Sequence, residues 1–300
     1  YCPELQHGSH TRYNVPVYLQ LLGDDPAMMA ANAAAAAELG AIGIDLNFGC
    51  PARSVNNHGG GAVLLQDPER LYAIARAVRD ALPAGIPLSA KMRLGYADKS
   101  RALDNAEALQ AAGVDEIAIH ARTKTEGYQP PAYWPEIGKI TARLAIPVIA
   151  NGEIWTLDDL QRCMDESGSR RIMLGRGLIA CPDLALLARG HDAPSLHWGE
   201  ICLLLLYYLQ QLHHCCDARH ITSLIKQWLV YLRVHYADAW LFFDAVKTLR
   251  DPALMQQALA AELQRQQQLR PIRSRIGALA LEPLLEQGGR DITPAATTGS

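Results

Sequence analysis

The feature that most constrains this chain is an alternation: short β-branched or apolar runs, each followed by an Ala- or Leu-rich stretch of helical length. Strands are expected at 15–21, 42–47, 87–93, 115–120, 147–151 and 171–175. Helices are expected near 26–40, 68–82, 101–112, 134–144, 156–167 and 178–189. Asp25-Pro26 and Asp67-Pro68 have the form of a helix cap followed by proline at the first helical position. Such alternation predicts an α/β fold with parallel strands joined by helical crossovers. Six units in series fit a doubly wound sheet. They also fit a (β/α)8 TIM barrel lacking its first one or two β/α units, which accounts for both the count and a first residue that is Tyr rather than Met.

After Gly190 the strand signal stops, and 197–268 is Leu-, Gln- and His-rich with helical periodicity. The expected organisation is a barrel domain over 1–192, incomplete at its N-terminus, and an all-helical domain over 193–280. A disordered tail is expected over 281–300, where GGRDITPAATTGS has no apolar period. With 49% hydrophobic and 20% charged residues, wholesale disorder is excluded. The longest apolar run, Ile201 to Leu209, is far short of the roughly 20 residues that span a bilayer. Seven scattered cysteines without CxxC spacing indicate reduced thiols and a cytoplasmic protein, and YCPELQHGSH has no signal-peptide pattern. The net charge of −3 shows no polyanion-binding surplus, yet 219–275 holds 9 basic and 4 acidic residues.

Candidate chemistry lies at the strand ends, where a barrel builds its active site. Asp45-Leu46-Asn47-Phe48-Gly49-Cys50-Pro51 turns out of a strand, and Cys50 is placed to act as nucleophile, ligand or proton donor. A free thiol with a pKa of about 8.5 is mostly protonated at neutral pH, which favours proton donation. Alternation sends Lys91 and Arg93 to one face, where two cations call for an anion. His120 and Arg122 end the next strand. Asn151-Gly152-Glu153 and Gly175-Arg176 are strand-to-turn junctions of the kind that bind phosphate late in a barrel. His213-His214-Cys215-Cys216 invites a metal reading, but neighbours on a helix point apart and no second ligand pair stands at zinc spacing, so no metal site is expected.

Taken in order, Cys2-Pro3-Glu4-Leu5, Leu19-Gln20-Leu21-Leu22-Gly23, Asn47-x-Gly-Cys-Pro, Lys91-x-Arg93, His120-x-Arg122-Thr123, NGEIW at 151–155 and Ile225-Lys226-Gln227-Trp228-Leu229 resemble the bacterial tRNA-dihydrouridine synthases. The resemblance covers nearly the whole chain, and the NGEIW and IKQWL segments are most similar to the C-type member, whose target is uridine 16. Leu224 departs from it, standing where a basic residue is expected in C-type relatives.

The resemblance implies an FMN-dependent, NADPH-driven reduction of a D-loop uridine to dihydrouridine. Hydride would pass from flavin N5 to C6, and Cys50 would give a proton to C5. Gln20, Lys91, His120, Asn151, Gly152, Glu153, Gly175 and Arg176 would serve the cofactor, the last two at its phosphate. Asn47 and Arg93 would lie at the uracil, and Arg122 would join the substrate contacts. Lys226 and Arg233, seven residues apart on one helix, would meet tRNA. The target base must be extruded from the folded RNA to reach the barrel mouth.

The expected partner is thus tRNA, with no membrane and a monomeric enzyme. The family's flavin-contacting loop after its first strand has no counterpart before Tyr1, so poor FMN binding by this chain is expected. Two alternatives remain open: a flavin-dependent dihydroorotate or dihydropyrimidine dehydrogenase-like enzyme acting on a free pyrimidine, and a non-catalytic tRNA-binding protein.

Overall fold

The computed structural model describes residues 3–11, 13–190 and 195–272. The expected tail at 281–300, together with Cys2, Arg273 and Arg275, lies outside the described residues. Six strands, β1 (Leu19–Leu21), β2 (Ile44–Phe48), β3 (Leu88–Arg93), β4 (Glu116–His120), β5 (Val148–Asn151) and β6 (Arg171–Met173), form one sheet. Every pairing is parallel and the spatial order is the sequence order. A doubly wound sheet reverses direction at a switch point, and this one does not. The order is that of a TIM barrel.

The first compact unit also contains α1 (Pro26–Glu38), α2 (Arg53–Asn56), α3 (Pro68–Ala81), α4 (Ala102–Ala111), α5 (Trp134–Thr141) and α6 (Leu157–Ser167). Their starts are written in the sequence. Asp25 and Asp67 accept hydrogen bonds from the backbone N–H of Met28 and Arg70 at 2.8 and 3.1 Å, each with proline next in line. Thr156 and Asp159 complete a reciprocal capping box on α6. In α1 the buried side chains are Met29, Ala33 and Ala36, small groups at helical spacing that let it lie close against α3.

Alternation along the strands gives the sheet two unlike faces. Ile44, Leu46, Phe48, Leu88, Ala90, Met92, Ile117 and Ile119 are fully buried on one face, within the apolar cluster that the helices complete. Each large member contributes about 1.5–3 kcal/mol by leaving water. The register aligns Gln20, Asp45 and Ser89 on the opposite face, then Asn47, Lys91 and Ala118, then Arg93, His120 and Asn151. Parallel strands are ordinarily apolar on both sides. Here that side is largely polar, with Ala118 and Ile149 among the polar groups, and Gln20, Asp45, Asn47, Lys91 and Asn151 are at most half-buried there.

The chain divides into two compact units between Gly175 and Arg176, earlier than the boundary expected at 192/193. The single helix expected at 178–189 is two short ones, α7 (Arg176–Ala180) and α8 (Leu184–Ala188). Pro182 falls between them and has no N–H to continue a helix. Four longer helices follow: α9 (Trp198–Cys215), α10 (Ala218–Leu232), α11 (Ala237–Val246) and α12 (Pro252–Leu269). They bury their own cluster, including Ile201, Leu205, Leu209, Ile225, Leu229, Met255 and Leu259. Among the described residues no helix is long and apolar enough to cross a membrane.

Candidate active site

The polar face is organised by a ladder of side chains crossing three strands. Ser89 Oγ donates to Asp45 Oδ1 at 2.7 Å, and Gln20 Nε2 donates to Asp45 Oδ2 at 2.6 Å. Asn47 Nδ2 donates to Gln20 Oε1 at 2.8 Å. Asn47 Oδ1 then accepts from the backbone N–H of both Gly49 and Cys50, at 3.1 and 3.0 Å. The ladder therefore ends on the turn that carries the Cys50 thiol, which is half-buried.

The other side of the same turn is held by the segment that follows. Asn56 Nδ2 donates to the Cys50 carbonyl at 2.8 Å, and the Ala62 N–H does so at 3.1 Å. Gly61, at φ +69°, passes so close that a Cβ there would stand 2.8 Å from the Cys50 oxygen. Short α2 and the 3₁₀ turn Gly61–Gln66 thus serve to fix one cysteine. Neither was expected from the sequence.

Lys91 shares this face and is half-buried, with a long contact of 3.4 Å from Nζ to the Met92 carbonyl. Burial, reinforced by the neighbouring Arg93 charge and opposed by Asp45, lowers its pKa to about 7. Arg93 is 3% exposed and acts as a clamp between the loops after β2 and β4. Its Nε donates to the Gly49 carbonyl at 2.9 Å, and its Nη1 to the carbonyls of Thr123 at 3.1 Å and Gly127 at 2.9 Å. Burial lowers its pKa too, against the opposing influence of Tyr128. The Tyr128 ring, 53% exposed, covers the guanidinium at 5.1 Å and meets the His120 ring edge-on at 5.9 Å.

Arg122 is fully buried, the largest such side chain described. It forms an ion pair with Glu153 and donates from Nε to the Pro131 carbonyl at 3.2 Å, while its Nη1 is buried without a hydrogen-bond partner. Glu153 also accepts from Trp155 Nε1 at 3.0 Å and holds a left-handed φ of 56°. Next to it, Gly152 at φ +116° leaves room for the buried His120 ring, which a Cβ would meet at 3.1 Å. Asn151 Nδ2 donates to the Met173 carbonyl at 2.8 Å. After β6, among the described residues and chain neighbours apart, no atom lies within 4 Å of where a Gly175 Cβ would stand.

The structure thus places Gln20, Asn47, Lys91, Arg93, His120 and Asn151 on one face of one sheet, with Cys50, Arg122, Gly152 and Glu153 in the turns that leave its strands, all in one unit. Arg176, Lys226 and Arg233 belong to the helical unit. Lys226 lies in α10 and Arg233 is the residue that follows its last turn, and both reach toward α11 and the residues after it. Lys226 Nζ donates to the carbonyls of Lys247 and Leu249 at 3.1 and 2.6 Å just past the end of α11. Arg233 lies over the rings of Trp240 and Phe243 at 4.1 and 4.6 Å.

Sequence reasoning missed Asp45, Ser89, Asn56 and Tyr128. Asp45 and Ser89 were within reach, because period-two counting from Asn47 and Lys91 puts them on the same face. Asn56 ends the one-turn helix α2 and Tyr128 sits in the loop after β4, and periodicity reaches neither.

A family model described as dihydrouridine synthase (Dus) matches residues 4–271. A tRNA-dihydrouridine(16) synthase from Aquipseudomonas alcaligenes is 47% identical over 262 residues, covering 86% of this chain and 83% of the relative. One from Pseudomonas putida is 46% identical over 266 residues, covering 87% and 82%. One from Shewanella oneidensis is 49% identical over 246 residues, covering 82% and 78%.

Proposed function

The chain belongs to the dihydrouridine synthase family, and we propose from that premise that it reduces a uridine of the tRNA D-loop, uridine 16, to 5,6-dihydrouridine. The observation that carries the reading is the Cys50 turn. A thiol is presented at the end of a polar sheet face and locked from both sides, by Asn47 through two N–H groups and by Asn56 and Ala62 through its carbonyl. A proton donor needs such fixed placement against the atom that receives the proton.

The donor set supports FMN as the group beside it. Lys91 is a desolvated cation whose ammonium has only a long carbonyl contact described, and Arg122 Nη1 is a buried donor left unsatisfied. An electron-rich planar ring edge or an anion answers the Lys91 charge. Open space at Gly175 suits a bulky phosphate, with Arg176 next in sequence. Gln20, Lys91, His120, Asn151, Gly152, Glu153, Gly175 and Arg176 would hold the cofactor. FMN, when bound and reduced by NADPH, supplies hydride to uracil C6.

The chain's own residues do the rest. Cys50 Sγ gives its proton to C5 on the face opposite the hydride. Asn47 holds the Cys50 turn and keeps one amide N–H for the uracil edge. Arg93 and Arg122 are positioning residues that act through the loops and the Glu153 carboxylate they hold. Lys226 and Arg233 shape the α10–α11 surface that would meet tRNA.

The test is to incubate the protein with tRNA lacking dihydrouridine, FMN and NADPH, and to map the product. Dihydrouridine at position 16 is expected. Oxidation of dihydroorotate by the same protein with no change in the tRNA would overturn the reading.

A further inference from the structure

The junction between α9 and α10 holds two thiols that a continuous helix would keep apart. Successive side chains on a helix diverge by about 100°, and on that basis His213-His214-Cys215-Cys216 offers no shared site. In the structure α9 ends at Cys215. Cys216 turns to extended backbone, φ −133° and ψ 150°, before Asp217 opens α10. The turn folds the second side chain back toward the first, and the two Sγ atoms stand 3.6 Å apart. Cys215 is exposed and Cys216 half-buried, so a solute reaches both.

Cys163, Cys181 and Cys202 are of another kind. They are buried, and burial pushes all three thiols up, the first two to about 12. Cys50 lies in the other compact unit.

We propose that Cys215 and Cys216 form a binding site for a trivalent, three-coordinate thiophile, of which an organoarsenic(III) oxide is the chemical type. The separation selects it. A disulfide between sequence neighbours is disfavoured, because their Cα atoms stand about 3.8 Å apart, whereas a disulfide ordinarily spans about 4.4–6.8 Å. With metal–sulfur bonds of about 2.3 Å, a linear bridge of the kind copper(I) or mercury(II) forms needs about 4.6 Å, whereas a bent bridge at a tetrahedral angle needs about 3.8 Å. The observed spacing belongs with the bent bridge.

Among the described residues no group of three or more His, Cys, Asp and Glu could hold a metal ion. A centre that brings its own third substituent asks for only two ligands from the protein. The Cys215 thiol, hydrogen-bonded beside it, holds the Cys216 thiol above its ordinary value.

The reaction is a condensation. Two As–S bonds form while the As=O bond and both S–H bonds break. The oxygen leaves as water with the two thiol protons, and arsenic stays trivalent throughout, so no oxidant or reductant takes part.

The probe is phenylarsine oxide, added to the reduced full-length chain and followed by a wash with excess 2-mercaptoethanol. A monothiol removes arsenic from a single cysteine but not from a chelating pair. Mass spectrometry should find one phenylarsenic group per chain, with two hydrogens lost. The label should survive in Cys50→Ala, vanish in Cys215→Ser and in Cys216→Ser, and come off the unsubstituted chain with 1,2-ethanedithiol. Circular dichroism of the two serine variants checks that the helices are intact. A label retained by Cys215→Ser, or absent from the unsubstituted chain after the monothiol wash, would overturn the proposal.

Discussion

At Lys91 the third strand carries an ammonium into surroundings that penalise its charge, and the consequence is a pH dependence of known sign. The folded-state pKa is about 7, against about 10.4 in an unfolded chain. Between those values the unfolded chain holds a proton that the folded chain lacks. Stability therefore rises with pH across the window, and the full penalty is present at and below about pH 7. Lys91→Met removes this contribution. The urea midpoint of the variant should exceed the unsubstituted one most clearly near pH 7 and approach it near pH 10; an equal gap at both pH values would refute the argument. Cys50 makes a second prediction at this scale. Cys50→Ala leaves the turn intact, because its contacts run through backbone groups, but it removes the acid. Dihydrouridine formation on tRNA should fall by about 10²- to 10⁴-fold, while reduction of added FMN by NADPH is unchanged.

Among the elements, the segment from Cys50 to Gln66 shows how much structure a single thiol requires. Gly61→Ala would place a methyl group 2.8 Å from the Cys50 carbonyl at a φ of +69°. The left-handed backbone alone costs about 1–2 kcal/mol, and the clash with backbone adds to it. Denaturant titration should show a loss above that figure, with a fall in tRNA reduction beyond what the unfolded fraction explains. The strands and long helices of this unit were legible in the sequence because each carries its own signal. β-branched runs mark the strands, and Asp-Pro caps mark the starts of α1 and α3. The break at Pro182 was legible in principle, since a proline seldom sits inside a helix. What periodicity could not show are bonds between distant residues. The three carbonyls bound by Arg93 lie on two loops, 30 to 44 residues away in sequence. Arg122 reads as a strand-end cation, and only the register reveals the Glu153 carboxylate that buries it. The meeting of Cys215 and Cys216 depends on the one residue at which α9 stops.

At the scale of the whole molecule, the described residues form two apolar clusters with no residue in common, one under the sheet and one among α9 to α12. Cooperative unfolding follows shared cores, so calorimetry should resolve two transitions. Added FMN, which the proposed site confines mainly to the first unit, should raise the lower or the upper of them, not both equally. A single transition insensitive to scan rate would contradict the separation. Charge behaves as locally as packing does: the net −3 coexists with a basic stretch at 219–275, within which Lys226 and Arg233 are already engaged with α11. The unlike faces of the sheet also have a meaning for heredity. Along each of β2, β3 and β4, alternate positions face the apolar cluster and the proposed chemistry. A saturation library read once for abundance and once for tRNA reduction should therefore show a two-residue rhythm, with the two assays out of step by one position.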